Sequence, residues 1–259
     1  MSYSRGSSVK CKAIQIHFHI VRRSNGTGGL TNAQVNTVFE TMNNDFVDLA
    51  VTFVEEGRSF INSDYFHNSF DSDKFFELIT VDFEPHRIDI YLLPETSGWG
   101  GRADGIPSSA LVIDGDLAQT SVVSHEVGHC LGLYHTHSGR GCWDNANCPE
   151  NIDGSNCTTC GDLVCDTPAD PCLSGVVDGF CNYTGGGGFN PDADNIMSYT
   201  LPNCMENLTF GQMERIHTMI DNSSILQNVL TTFPISGPDY LCSTNTFTLQ
   251  NAPTGSTVT

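Results

Sequence analysis

The sequence predicts an α+β protein: a twisted mixed β-sheet with a backing helix, and a second helix above an irregular lower part that is rich in disulfides. Three observations carry this. Residues 13–21 and 88–93 alternate apolar and polar side chains with the period of two that a strand imposes. Residues 32–50 repeat apolar side chains at helical spacing. Eight of the eleven cysteines crowd between Cys142 and Cys204, where few apolar residues could build a core and covalent staples must substitute for one.

In residues 13–21, Ile14, Ile16, Phe18 and Ile20 fall on one face and Gln15, His17 and His19 on the other, so the polar face of a strand accounts for both histidines. A glycine-rich loop follows at 25–29. Thr31 with Gln34 forms a capping box, and Val35, Val38, Phe39, Met42, Phe46 and Leu49 give the next helix one apolar stripe to lay on the sheet. Val51–Val54 reads as a second strand, and 55–84 has no legible pattern. Ile88–Leu93 is a third strand. Gly98–Pro107, glycine-rich and closed by proline, suits an exposed sheet edge, because Pro has no N–H for a central ladder. Ser109–Ile113 is a further strand, and a helix starts after residues 116–119.

That helix carries His125-Glu-Val-Gly-His129-Cys-Leu-Gly132-Leu-Tyr-His135. His125 and His129, four residues apart, leave one helix face a turn from each other, at a separation one tetrahedral zinc ion bridges. Glu126 stands beside the first ligand, placed to take a proton from a zinc-bound water. Gly132 stops the helix in a left-handed conformation, and the reversed chain brings His135 to the metal as third ligand. The extended pattern H-E-x-x-H-x-x-G-x-x-H assigns a mechanical reason to each fixed position. His137 reads as a solvated residue or one supporting the ligands, and Cys130 as a small buried hydrophobe.

The net charge of −19 argues against nucleic-acid partners and against anionic membrane surfaces, both of which need a basic footprint. No apolar run reaches the length of a membrane span, and the first residues lack the apolar core of a signal peptide. The cysteine usage points to a secreted protein. A competing reading places a second zinc on Cys157, Cys160 and Cys165. From Gly141 to Glu214 there is no Lys or Arg, while eleven Asp and Glu residues accumulate. Such a lobe calls for hard cations, calcium above all, with Asp162 and Asp166, beside Thr167, as the sharpest local ligand candidates. Thr209 with Gln212 opens a C-terminal helix through a second capping box.

With the long histidine motif, Gly161-Asp-Leu-Val-Cys-Asp-Thr-Pro168, Asn195-Ile-Met-Ser-Tyr199 and Phe210-Gly-Gln-Met-Glu-Arg215 in place, the chain resembles the metzincin metallopeptidases, and among them the pappalysin family, over about residues 11–225. The resemblance implies a zincin fold with Met197 in a turn beneath the zinc and Tyr199 reaching the oxyanion side of the transition state. It also implies calcium in the lower subdomain and a substrate peptide laid antiparallel to an edge strand such as Gly100, Gly101, Arg102 and Ala103.

The expected function is that of a secreted zinc endopeptidase acting on protein or peptide substrates, with no nucleic-acid partner, no membrane insertion and no oligomeric state readable. The alternative is a calcium-dependent cell-surface binding or adhesion module with a vestigial zinc site. The expected organisation is an N-terminal tail (1–10), a catalytic domain (11–232) divided near residue 132 into upper and lower subdomains, and the start of a β-sandwich module (233–259).

Overall fold

The structure, a computed structural model, describes residues 11–231 apart from 69, 97 and 143–146. The expected tail at 1–10 and β-rich module at 233–259 lie outside the described residues. The chain runs β1 (Lys12–Arg22), α1 (Asn32–Phe46), β2 (Val51–Asn62), α2 (Asp64–His67), α3 (Ser72–Leu78), β3 (Ile88–Leu93), β4 (Gly101–Ala103), β5 (Ala110–Asp114), α4 (Val122–Cys130), α5 (Phe210–Asn222) and α6 (Ser224–Asn228). The strands form one sheet in the order β2-β1-β3-β5-β4. Four are parallel, and β4 alone runs antiparallel, against β5 at the edge. The fold is the expected α+β arrangement around a mixed sheet.

Both faces of the sheet are covered, as parallel sheets require. On one face Ile14, Ile16, Phe18 and Ile20 of β1 meet Val35, Val38, Met42 and Phe46 of α1 and Val123 and Val127 of α4. Thr31 and Gln34 cap α1 reciprocally, as the sequence indicates. The other face is smaller and packs Tyr91, Leu93 and Val112 against Phe70 and against Phe75 and Leu78 of α3. This second layer corrects the reading of the β1 histidines. His19 is fully buried and His17 nearly so, so their side of the strand faces protein rather than water.

The stretch 55–84 hid three elements. β2 continues to Asn62 as the outer strand, pairing β1 through a bulge at which Ile16 faces Glu55 and His17 faces Gly57. The extra residue shifts the alternation out of phase, and the solvated edge admits polar residues, so periodicity does not register it. α2 and α3 are each opened by a side-chain cap, Ser63 and Asp71, but with 4 and 7 residues they are too short to show a helical period.

Below α4 the chain is mostly irregular, pinned by the disulfides Cys142–Cys172, Cys148–Cys160, Cys157–Cys165 and Cys181–Cys204. These pairings use the cysteines that a second zinc would have needed, and they set that reading aside. Order returns in α5, where Thr209 and Gln212 make the expected capping box. Ile216, Ile220, Leu226 and Val229 then rejoin the core of α1 and α4. The Gln15 N–H donates to Val229 O at 2.8 Å and the Thr231 N–H to Ala13 O at 3.0 Å, so the chain closes back onto β1. No helix among the described residues is long and apolar enough to cross a membrane.

Candidate active site

α4 is buried along its whole length. It ends in a Schellman motif: the Gly132 N–H donates to His129 O and the Leu133 N–H to Gly128 O, both at 2.9 Å. Gly132 has φ +99°, and a Cβ there would lie 2.5 Å from Met219 Cγ, so conformation and packing both demand glycine. The chain then reverses, and the three imidazoles converge. His135 Nε2 lies 3.0 Å from His129 Nε2 and 3.1 Å from His125 Nε2.

The other ring nitrogens set the tautomers. His125 Nδ1 is 2.7 Å from Ile196 O and His129 Nδ1 is 2.8 Å from Leu133 O. A carbonyl only accepts, so each Nδ1 carries the proton and each Nε2 presents a lone pair to the centre. Burial first, then the neighbouring rings, hold the histidines neutral: His125 is pushed down to about 3 and His129, by burial, to about 4, with His135 lowered likewise. Two lone pairs fixed in this way, with His135 Nε2 brought within 3.1 Å of both, suit a divalent cation, and the donor set of three nitrogens is one that zinc accepts.

Glu126 is 6% exposed, and burial pushes its carboxyl up to about 8 despite a hydrogen bond from the Ala103 backbone. It sits under the sheet edge: a Cβ on Gly101 would come within 2.6 Å of Glu126 Cγ. The expected edge strand, Gly100 to Ala103, thus runs directly past the expected base, with Arg102 lying over the rings of Phe75 and Phe76.

The chain from Asn195 to Tyr199 forms the floor and one wall. Met197 is fully buried, and a Cβ on Gly128 would lie 2.5 Å from its Sδ, so the glycine of the histidine motif makes room for the methionine. The Tyr199 ring centroid is 4.6 Å from that of His135 and 5.9 Å from that of His125. His137, expected in solvent or in support, is fully buried and stacked 4.7 Å from His135 at an interplanar angle of 11°. It also lies 4.6 Å from the ring of Tyr199, so it wedges the third histidine and the tyrosine in place. The Cys130 thiol is buried beside Ser108, and burial pushes it up to about 12, which fits a packing role.

Sequence reasoning missed two supports. Asp170 is 1% exposed, and its Oδ2 accepts from Thr136 Oγ1 and Ser198 Oγ, each at 2.6 Å. It therefore ties the residue after His135 to the residue after Met197. Asn195 and Gln212 exchange amide hydrogen bonds of 3.0 and 3.1 Å, which anchors the Met197 turn to α5. Asp170 was one carboxylate among eleven, and no local spacing distinguishes it.

Of the expected calcium ligands, Asp162 and Thr167 lie together, with Thr167 Oγ1 donating to Asp162 Oδ2 at 2.9 Å. Asp166 instead accepts from Thr209 Oγ1 at 2.7 Å and from the Gly211 N–H at 2.8 Å, at the start of α5. Glu150, not singled out in the sequence, packs on Gly161 next to Asp162.

A mixed five-stranded sheet, an edge strand over a buried glutamate, and three histidines above a methionine turn define a metzincin metallopeptidase. Residues 111–221 match the peptidase family model described as pregnancy-associated plasma protein-A, the pappalysin family that the sequence resembles. It is 29% identical over 230 residues to an extracellular metalloprotease of Verticillium alfalfae, covering 79% of this chain and 74% of that protein. A second extracellular metalloprotease, from Podospora anserina, is 25% identical over 240 residues, covering 83% and 75%. Among solved structures, mirolysin in complex with a compound superposes with a TM-score of 0.63 at 17% identity, over 85% of this chain and 96% of that one. Mature mirolysin of Tannerella forsythia in complex with a cleaved peptide gives 0.59 at 17% identity, over the same shares. At that identity the likeness speaks for the fold.

Proposed function

We propose that this metalloendopeptidase is a secreted zinc enzyme in which His125, His129 and His135 hold the metal and Glu126 serves as the base. The observation that carries this is the convergence of three Nε2 atoms, with the opposite nitrogens of His125 and His129 tied to backbone carbonyls. Zinc bound there would supply a Lewis acid that acidifies a water and polarises the scissile carbonyl. Glu126 accepts the proton of the attacking water and passes it to the leaving amine. Tyr199, wedged by His137, offers its phenol to the negative charge that develops on the carbonyl oxygen. Among the described residues β4 has a free edge, opposite its pairing with β5, and a peptide added there as an antiparallel strand would pass Glu126. Secretion is supported by four disulfides among the described residues and by relatives named extracellular metalloproteases. The adhesion-module alternative is not favoured.

Casein digestion checks the metal. A zinc-selective chelator should abolish cleavage, and zinc added back should restore it; cleavage that persists with the metal measurably stripped would sink the reading.

We further propose calcium in the lower lobe, held around Glu150, Asp162 and Thr167. Both carboxylates are buried, and Glu150 Oε2 has no hydrogen-bond partner among the described residues. Burial pushes the Asp162 carboxyl up to about 7 from an ordinary value of 3.8, with Glu150 adding to the shift. A carboxyl whose pKa is higher in the folded state favours folding below about pH 4, and that contribution is lost as pH rises through about 7. Calcium binds the ionised form, so the rise in Tm on adding it should grow between pH 5 and 8. Melts that do not respond to calcium at pH 8 would rule it out.

A further inference from the structure

The face of the sheet turned away from α1 and α4 carries a second group of metal-ligating side chains, none of them used by the proposed peptidase chemistry. His17 and His19 on β1, and Asp82 in the turn before β3, each offer one ligand atom, and these atoms lie within 4.8 Å of one another.

His19 is fully buried, and its two nitrogens are already distinguished. Nε2 lies 2.7 Å from Asp89 Oδ1. The carboxylate accepts the Nε2 proton, which leaves Nδ1 with a lone pair. That nitrogen is 2.8 Å from Ser59 Oγ and 3.9 Å from Asp82 Oδ2. A carboxylate behind an imidazole is how proteins orient a histidine toward a metal. The ring plane is held as well, stacked on Tyr91 at 4.4 Å and 14°.

His17 supplies an independent observation. It is only 9% exposed, and neither ring nitrogen has a hydrogen-bond partner among the described residues. Leaving a buried polar group unsatisfied costs about 1–3 kcal/mol, so such a group calls for a ligand. Its ring centroid is 4.7 Å from that of His19. Across the bulge it faces Gly57, where a Cβ would lie 3.5 Å from its ring, so this partner residue adds no side-chain ligand. The local charge is favourable to a cation. Arg87 is already engaged by Asp89 at 2.8 Å and Glu56 at 3.0 Å, which leaves Asp82 as surplus negative charge.

We propose that His17, His19 and Asp82 form a second divalent-metal site, taking zinc or a neighbouring first-row ion through two imidazoles and one carboxylate. The Asp82 side chain is 60% exposed, so the site opens to solvent and can load from it. Bound metal would pin β1 to the turn ahead of β3 on the side of the sheet opposite the active site.

The test is metal stoichiometry. The chain is equilibrated with excess Zn²⁺, desalted and analysed by plasma mass spectrometry, beside the variants Asp82→Ala, His17→Asn and His129→Ala. About two equivalents are expected in the wild type and about one in each variant. Asp82→Ala, an exposed turn substitution, should keep casein cleavage within about twofold of wild type, because it leaves the catalytic ligands untouched. Two results would overturn the proposal: a wild type holding one equivalent that His129→Ala removes, or a wild type holding two that Asp82→Ala and His17→Asn both retain.

Discussion

Glu126→Gln is expected to lower kcat for peptide hydrolysis by about 10²–10⁴-fold, the range that a positioned general base contributes. The amide keeps the shape of the carboxylate, so packing against Gly101 is preserved and the variant should melt close to the wild type. Zinc content should also be unchanged, because the three imidazoles and the carbonyl partners of His125 and His129 are untouched. The pairing of retained metal with lost turnover is the informative result. Turnover near the wild-type rate would mean that another group takes the proton, and the edge-strand geometry would then need a different explanation.

Asp170→Ala should have the second-largest effect, and it acts on both stability and activity. The carboxylate accepts from Thr136 Oγ1, Ser198 Oγ and the Cys172 N–H, the last at 2.7 Å. Removing it strands three donors in a site that is 1% exposed. At about 1 kcal/mol or more for each, the loss is about 3 kcal/mol, or roughly 6–12 °C in Tm for a domain of this size. Activity measured well below that melt should also fall, by about tenfold or more, because Thr136 adjoins His135 and Ser198 adjoins both Met197 and Tyr199. Asp170→Asn, which keeps the shape and one acceptor oxygen, should recover part of both. A variant that melts and cleaves like the wild type would show that the link between the third histidine and the methionine turn is carried elsewhere.

Legibility in the sequence followed the range of the interactions. β1, α1 and α5 were readable because their signals are local: a period of two, a period near 3.6, and two capping boxes whose partners stand three residues apart. β2 is legible in the sequence over four residues only, because a bulge resets its phase and a solvated edge relaxes its composition. In the sequence, His17 and His19 fit the polar outer face of a strand. The pattern of one strand does not reveal that a second layer, built around Phe70, Phe75 and Tyr91, covers it.

The amino-acid sequence by itself determined the histidine-motif helix, its left-handed stop at Gly132 and the candidate residues of the site, three histidines and a glutamate. These lie within eleven consecutive residues, where spacing on one helix and one turn is nearly a complete geometric statement. Tertiary structure decided what surrounds them. Gly101 comes to Glu126 across the sheet edge, Met197 comes beneath Gly128 from some seventy residues away, and Asp170 joins two segments that adjoin in space alone. Burial, not composition, selects which of the many carboxylates and histidines lose water and must find a proton, a partner or a metal.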